Sequence, residues 1–226
     1  MEWRTKAIYA GELHRQREQK DGRKTWGLYH DGVSSYNERF ASVLQYGSFE
    51  SVAKPGSVAL DCFAPTSFLR DLSGKVPVTG GIAIALTDTR HPEEKREDDQ
   101  RRIIQVESNF YTGDWHPKVY DFLHEQKRIG FDLITCAPVG GWIGSHEHGF
   151  AHTPPREQLY WTTNELWKLL DNEGKLFIAY VTHEQNWLVD WVNAMISQGV
   201  SASFGPQRQV LALEKTTNTP IDLPLK

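Results

Sequence analysis

Two stretches of the sequence hold residues that could do chemistry. In "HEHGFAH", residues 146–152, His146, His148 and His152 fall within seven positions. Three neutral imidazoles can hold zinc. Beyond Glu147 no acid pattern or cysteine pair joins them, so a polar loop carrying specificity toward a substrate is the plainer reading. In "LDCFAPTSF", residues 60–68, Asp61 closes a short apolar run and a helical stretch follows. A strand that ends in Asp and turns into a helix is how many nucleotide-binding α/β domains open. Glycines are expected next, because they let backbone approach a ligand and take positive φ. The residues here are Cys62, Phe63, Ala64, Pro65, Thr66 and Ser67.

Other constellations are thinner. Tyr160 and Trp161 are core residues or a stacking surface for a base. Gly-x-Ser-x-Gly and the Gly-x4-Gly-Lys-Ser phosphate loop are both absent. "GG" at 80–81 precedes an apolar run rather than following one, which excludes a dinucleotide fingerprint. Two cysteines, Cys62 and Cys136, make neither a disulfide framework nor a four-thiolate zinc site, and favour a reducing, intracellular, cytoplasmic setting. A net charge of −4 gives no global basic field for nucleic acid. No run approaches the ~20 apolar residues that span a bilayer, so no membrane role is expected. The charged start lacks the apolar core of a signal peptide.

The elements that would position these residues follow from periodicity. The 226 residues suit one large domain or two very small ones. Residues 1–34 read as a polar, irregular extension, 35–215 as the folded domain and 216–226 as a loose tail. Strands are expected at 57–61, 80–88, 103–110, 131–138 and 175–181, that at 80–88 continuous rather than alternating, as in a sheet covered on both faces. Helices are expected at 35–52, from 67, at 117–128, from a Thr162–Glu165 capping box up to Gly174, and at 184–199. The charge run 91–102 reads as a solvated helix or loop. Residues 200–204 and 208–215 look like a closing hairpin. Strand and helix alternate five times before that antiparallel pair. This predicts an α/β fold: a mostly parallel sheet with helices on both faces and ligands at the carboxyl ends of its strands.

This order of elements resembles the class I, S-adenosylmethionine-dependent methyltransferase fold, a Rossmann-like seven-stranded sheet. Within it, "KPGSVALDCFAPTS" resembles the opening of the FtsJ-like RNA ribose 2′-O-methyltransferases. "TGDW", "FDLITCAP", "LLDNEGKLFIAYV" and "RQVLALEK" resemble later elements of that family, over roughly residues 40–215. The resemblance implies S-adenosylmethionine as cofactor and RNA as a partner. It places Asp61 beneath the cofactor's methionine, with Phe63, Ala64 and Cys136 beside it. It gives Asp88 the ribose hydroxyls and Asp114 the adenine amine. Each of these acids also reads as a cap or turn residue. Pro138, Trp142, His146 and Tyr180 fall on the substrate side. The fold pairs the first and fourth strands, which predicts that Cys62 and Cys136 are neighbours.

The sequence departs from that family at the chemistry. No glycine lies between Asp61 and Gly74. The family's catalytic Lys, Asp, Lys and Glu fall at Ala41 or Ser42, Thr135 or Cys136, Tyr180 and Gln209. Two functions stand: a divergent methyltransferase acting on RNA or another nucleophile through another base, such as His146 or His183, or a catalytically inactive methyltransferase-like module that serves as a binding or structural unit beside a protein partner.

Overall fold

The apolar run before Asp61 forms β1 (Val58–Cys62), buried along its whole length. The computed structural model describes residues 2–21, 32–44, 47–139, 156–180, 185–205 and 209–224. Six further strands join β1: β2 (Gly80–Ala85), β3 (Ile103–Glu107), β4 (Phe131–Val139), β5 (Leu170–Tyr180), β6 (Ser201–Gly205) and β7 (Val210–Glu214). Their order is β3-β2-β1-β4-β5-β7-β6. The first five strands are parallel, and β7 runs antiparallel between β5 and β6. The expected α/β sheet with its closing hairpin is therefore present. The chain reverses direction across the sheet between β1 and β4, where Cys62 pairs in register with Cys136.

Helices cover both faces, which is why the central strands are continuously apolar. One face carries α2 (Val33–Phe40), α3 (Phe49–Val52) and α4 (Ser67–Lys75), packed through Tyr36, Phe40, Phe49 and Phe68 against the sheet residue Phe177. The other carries α6 (His116–Glu125), α7 (Arg156–Lys168) and α8 (Gln185–Ser197), whose core includes Phe122, Trp167 and Trp191. α5 (Pro92–Gln100) lies against β3. A 3-10 turn, Phe110–Thr112, follows β3.

Several expectations are corrected. Residues 2–21 form a 20-residue helix, α1 (Glu2–Asp21), rather than an irregular start. Its Ala7 and Ala10 are buried, and a Cβ on Gly11 would lie 2.3 Å from the Asn109 amide nitrogen, so this crossing needs small residues. The single helix expected over 35–52 is two, and α3 starts afresh where Ser51 Oγ accepts from the Ser48 N–H at 2.9 Å. Thr162 and Glu165 are not a helix start, because α7 begins at Arg156. Thr163 is tolerated inside that helix by donating to the Leu159 carbonyl at 2.7 Å. Gly174 lies within β5, which begins at Leu170. Residues 216–224 are held against α7 and α8, with Leu223 2% exposed.

Candidate functional site

In a sheet of this topology the ligand crest runs along the carboxyl ends of the parallel strands, at the reversal between β1 and β4. The loop after β1 is set by Phe63, at φ +66°, in a region that suits glycine and costs a side-chain residue strain. Its N–H donates to the Ile84 carbonyl at 2.8 Å, which ties the loop to β2. Its ring lies 4.8 Å from Phe110 and 5.7 Å from Tyr111, residues that follow β3. Since β2 lies between β1 and β3, this ring bridges the crest above β2. Trp115 stacks on Phe110 at 4.9 Å, and Trp161 and Trp3 close the cluster against Tyr111 at 6.0 and 6.2 Å. Ala64 is buried beside it.

The three acids singled out by the sequence are each held by a different set of side chains. Asp61 is 0% exposed. Tyr36 Oη donates toward its two oxygens at 3.1 and 3.0 Å, and Thr135 Oγ1 donates at 2.7 Å. Both partners are neutral, so burial dominates and pushes the carboxyl up to about 7. Asp88 accepts from Arg90 Nε at 2.9 Å and Nη2 at 3.0 Å, and Lys95 Nζ lies at 2.9 Å. Burial alone would raise Asp88, but those cations hold it far below the usual carboxylate range. Asp114 lies five residues past the Asn109 that begins the turn. It accepts from Ser108 Oγ and, at 2.7 Å, from Thr112 Oγ1. Against the raising effect of burial, those hydroxyls lower its pKa.

Cys136 and Cys62 are both buried free thiols. Burial, then the neighbouring Cys136, pushes the Cys62 thiol well up, which makes it an inert core group rather than a nucleophile. Tyr180 ends β5 and is 3% exposed. Among the described residues its buried hydroxyl has no hydrogen-bond partner, and burial pushes its pKa up. The Tyr180 N–H donates to the Gln209 carbonyl at 3.0 Å. Ser42 abuts Gly205, which pairs with Val210 beside Gln209. Positions 42, 180 and 209 therefore gather at one end of β5, β6 and β7, and none carries a lysine or glutamate. Pro138 is the penultimate residue of strand β4, where only its backbone is described. Trp142, His146, His148, His152 and His183 lie outside the described residues. Among the described residues no group of three His, Cys, Asp or Glu side chains could hold a metal ion, and no helix is long and apolar enough to cross a membrane.

Sequence reasoning missed two parts of this region. Arg4 Nε donates to the Tyr111 carbonyl at 2.9 Å, and Asn109 Nδ2 donates to the Ile8 carbonyl at 2.9 Å, so α1 fastens the turn after β3. The signal was Trp3, Ala7, Ala10, Gly11 and His14, one helical face of mostly small residues. The second is Asp98, buried within the charge run read as solvated. Arg70 Nε meets it at 2.8 Å, Arg90 Nη1 at 3.0 Å and Thr66 Oγ1 at 2.6 Å.

Strand order, the antiparallel closing pair and helices on both faces define a class I methyltransferase fold, with RNA methylases among its structural neighbours. No family model matches the chain, and no curated protein matches its sequence. Among solved structures, a ribosomal RNA methyltransferase from Plasmodium falciparum is 14% identical with a TM-score of 0.50, covering 74% of this chain and 90% of that one. An RNA methyltransferase from Salinibacter ruber in complex with S-adenosyl-L-homocysteine is 7% identical with a TM-score of 0.46, covering 86% and 99%. An rRNA methylase from Streptococcus thermophilus is 11% identical with a TM-score of 0.42, covering 74% and 92%. At these identities the likeness concerns the fold.

Proposed function

We propose that the chain is a methyltransferase-like module that works by binding and does not itself methylate a ribose 2′-hydroxyl. The observation that carries this reading is Phe63, whose ring lies against Phe110 and Tyr111 where the fold leaves bare backbone for S-adenosylmethionine. Asp88 supports it, because its carboxylate is taken up by Arg90 and Lys95 rather than open to ribose hydroxyls. Asp114, likewise, is occupied by Ser108 and Thr112. On this reading the residues present do not fit the cofactor as the family holds it. The four positions of the ribose-methylating set carry no amine or free carboxylate to take the hydroxyl's proton, a contribution typically worth 10²–10⁴-fold in rate. RNA is the partner class to test first, since the Plasmodium falciparum neighbour is a ribosomal RNA methyltransferase.

Calorimetry with S-adenosylmethionine and S-adenosylhomocysteine tests the reading, alongside transfer of labelled methyl groups to RNA. No heat at millimolar ligand and no label on RNA are expected. Binding with micromolar affinity, about −8 kcal/mol, or methylation abolished by Asp114→Ala, would overturn it.

A further inference from the structure

Residues 216–224 follow β7 and return along the furrow between α7 and α8. One stripe of α7 meets them: Tyr160, Asn164, Trp167 and Lys168, spaced i, i+4, i+7 and i+8. Trp167 Nε1 donates to the Pro220 carbonyl at 3.0 Å, and Tyr160 Oη to the Leu223 carbonyl at 3.0 Å. From α8, Trp191 Nε1 donates to the Pro224 carbonyl at 2.9 Å. Asn164 reads the segment twice: its Oδ1 accepts from the Leu223 N–H at 2.9 Å, and its Nδ2 donates to Asp222 at 3.2 Å. Lys168 Nζ lies 3.2 Å from the same carboxylate, and Leu223 is buried in the core beneath.

Four of these bonds fall on main-chain atoms of the segment, one apolar side chain is pocketed, and one acid is read by an amide and an ammonium. Extended peptides are recognised in this way, main chain for affinity and alternate side chains for specificity. Nothing in the arrangement depends on the covalent link through residues 215–219. We propose that this furrow is a peptide-recognition site, filled in cis by residues 220–224, and that the same segment of a second copy takes it in trans. A second copy carries the fitting segment by definition, and exchanging an identical element is a low-cost route to a dimer. Tethering gives the cis segment an effective concentration on the order of millimolar, so exchange belongs to high protein concentration.

The test uses the full chain with Leu223→Asp, which expels its own segment, and a fluorescent peptide of residues 216–224. The peptide should bind this variant saturably and raise its melting temperature by roughly 5–10 °C at about a hundredfold excess over Kd. A peptide with Asp at the Leu223 position should bind at least about tenfold more weakly, the loss of one pocketed side chain. Wild-type chain should show a concentration-dependent dimer by ultracentrifugation that excess peptide dissolves. A folded variant that ignores the peptide overturns the recognition site. Wild-type chain that stays monomeric to millimolar concentration overturns the exchange. If the variant does not fold, the peptide is titrated onto wild-type chain, where saturable binding supports the site and none at millimolar peptide overturns it.

Discussion

Asp61 and Asp98 are both 0% exposed, yet they sit in opposite electrostatic surroundings. Asp61, in the centre of the sheet, takes its side-chain hydrogen bonds from two hydroxyls, Tyr36 and Thr135, with the Arg39 cation a smaller influence. Asp98, on α5, sits between the Arg70 and Arg90 guanidiniums and also accepts from Thr66. Burial makes either charge expensive. The partners set the difference: burial raises the pKa of Asp61 among its hydroxyls, whereas Asp98 lies in a buried ion-pair network with two guanidiniums.

Truncation of the acid between the two guanidiniums should have the largest effect. Asp98→Ala leaves two guanidiniums, each with a side chain only 12% exposed, without the acid between them. A loss of about 3–5 kcal/mol in urea unfolding is expected, the usual cost of breaking a buried pair from one side. A loss under about 1 kcal/mol would mean that Glu94 and Glu97, which lie 3.1 and 3.9 Å from Arg70, take over, and the contrast with Asp61 would collapse.

The neutral site is tested by pH. Asp61 titrates at about 7 in the folded chain against 3.8 as the reference value. Its folded pKa is raised, so its contribution to stability is fully present below pH 4 and is lost as pH rises through 7. The slope in that window approaches 1.4 kcal/mol per unit, up to about 4 kcal/mol in all. Asp61→Asn should flatten the slope between pH 4 and 7 and be the more stable protein at pH 8. Parallel stability curves for the two proteins would show that the carboxyl is already ionised at pH 5.

Asp88 sharpens the comparison at the surface, with a side chain 24% exposed beside the same Arg90 that serves Asp98. Its folded pKa is lowered, so its contribution is present above pH 4 and disappears as pH falls through the folded value. Asp88→Asn should cost about 0.5–1 kcal/mol at pH 7, less at high salt. A cost equal to that of Asp98→Ala would mean that the two acids work as one network.

The sheet was legible because its strands are continuous apolar runs between turn residues, as in residues 80–86 and 131–137, and their alternation with helices leaves few topologies. Pairing of Cys62 with Cys136 followed from that order. The acids were located at strand ends, but their partners were not foreseen. Arg90 stands two residues from Asp88 in plain sight, whereas Tyr36 and Thr135 reach Asp61 from 25 and 74 residues away. Helix α1 escaped because its buried face is made of Ala7, Ala10 and Gly11, which give almost no hydrophobic signal, and because its partners lie about a hundred residues further on. The capping pattern at Thr162 misled because both residues lie inside α7, Thr162 buried and Glu165 paired with His116 at 3.2 Å and Lys168 at 3.4 Å.

Those long separations also order events in time. Arg4 is fixed by the carbonyl of Tyr111, 107 residues downstream, and Trp3 rests on Trp161 from α7. During synthesis α1 is complete long before its seat exists, and at ~5–20 residues per second it waits at least several seconds. The sheet's own pairings span shorter separations, 22 residues from Val58 to Gly80 and 74 from Ala59 to Leu133, and contacts of longer separation form later. Helix α1 is therefore made early and seated late, and in hydrogen exchange its amides should open before those of β1 and β4.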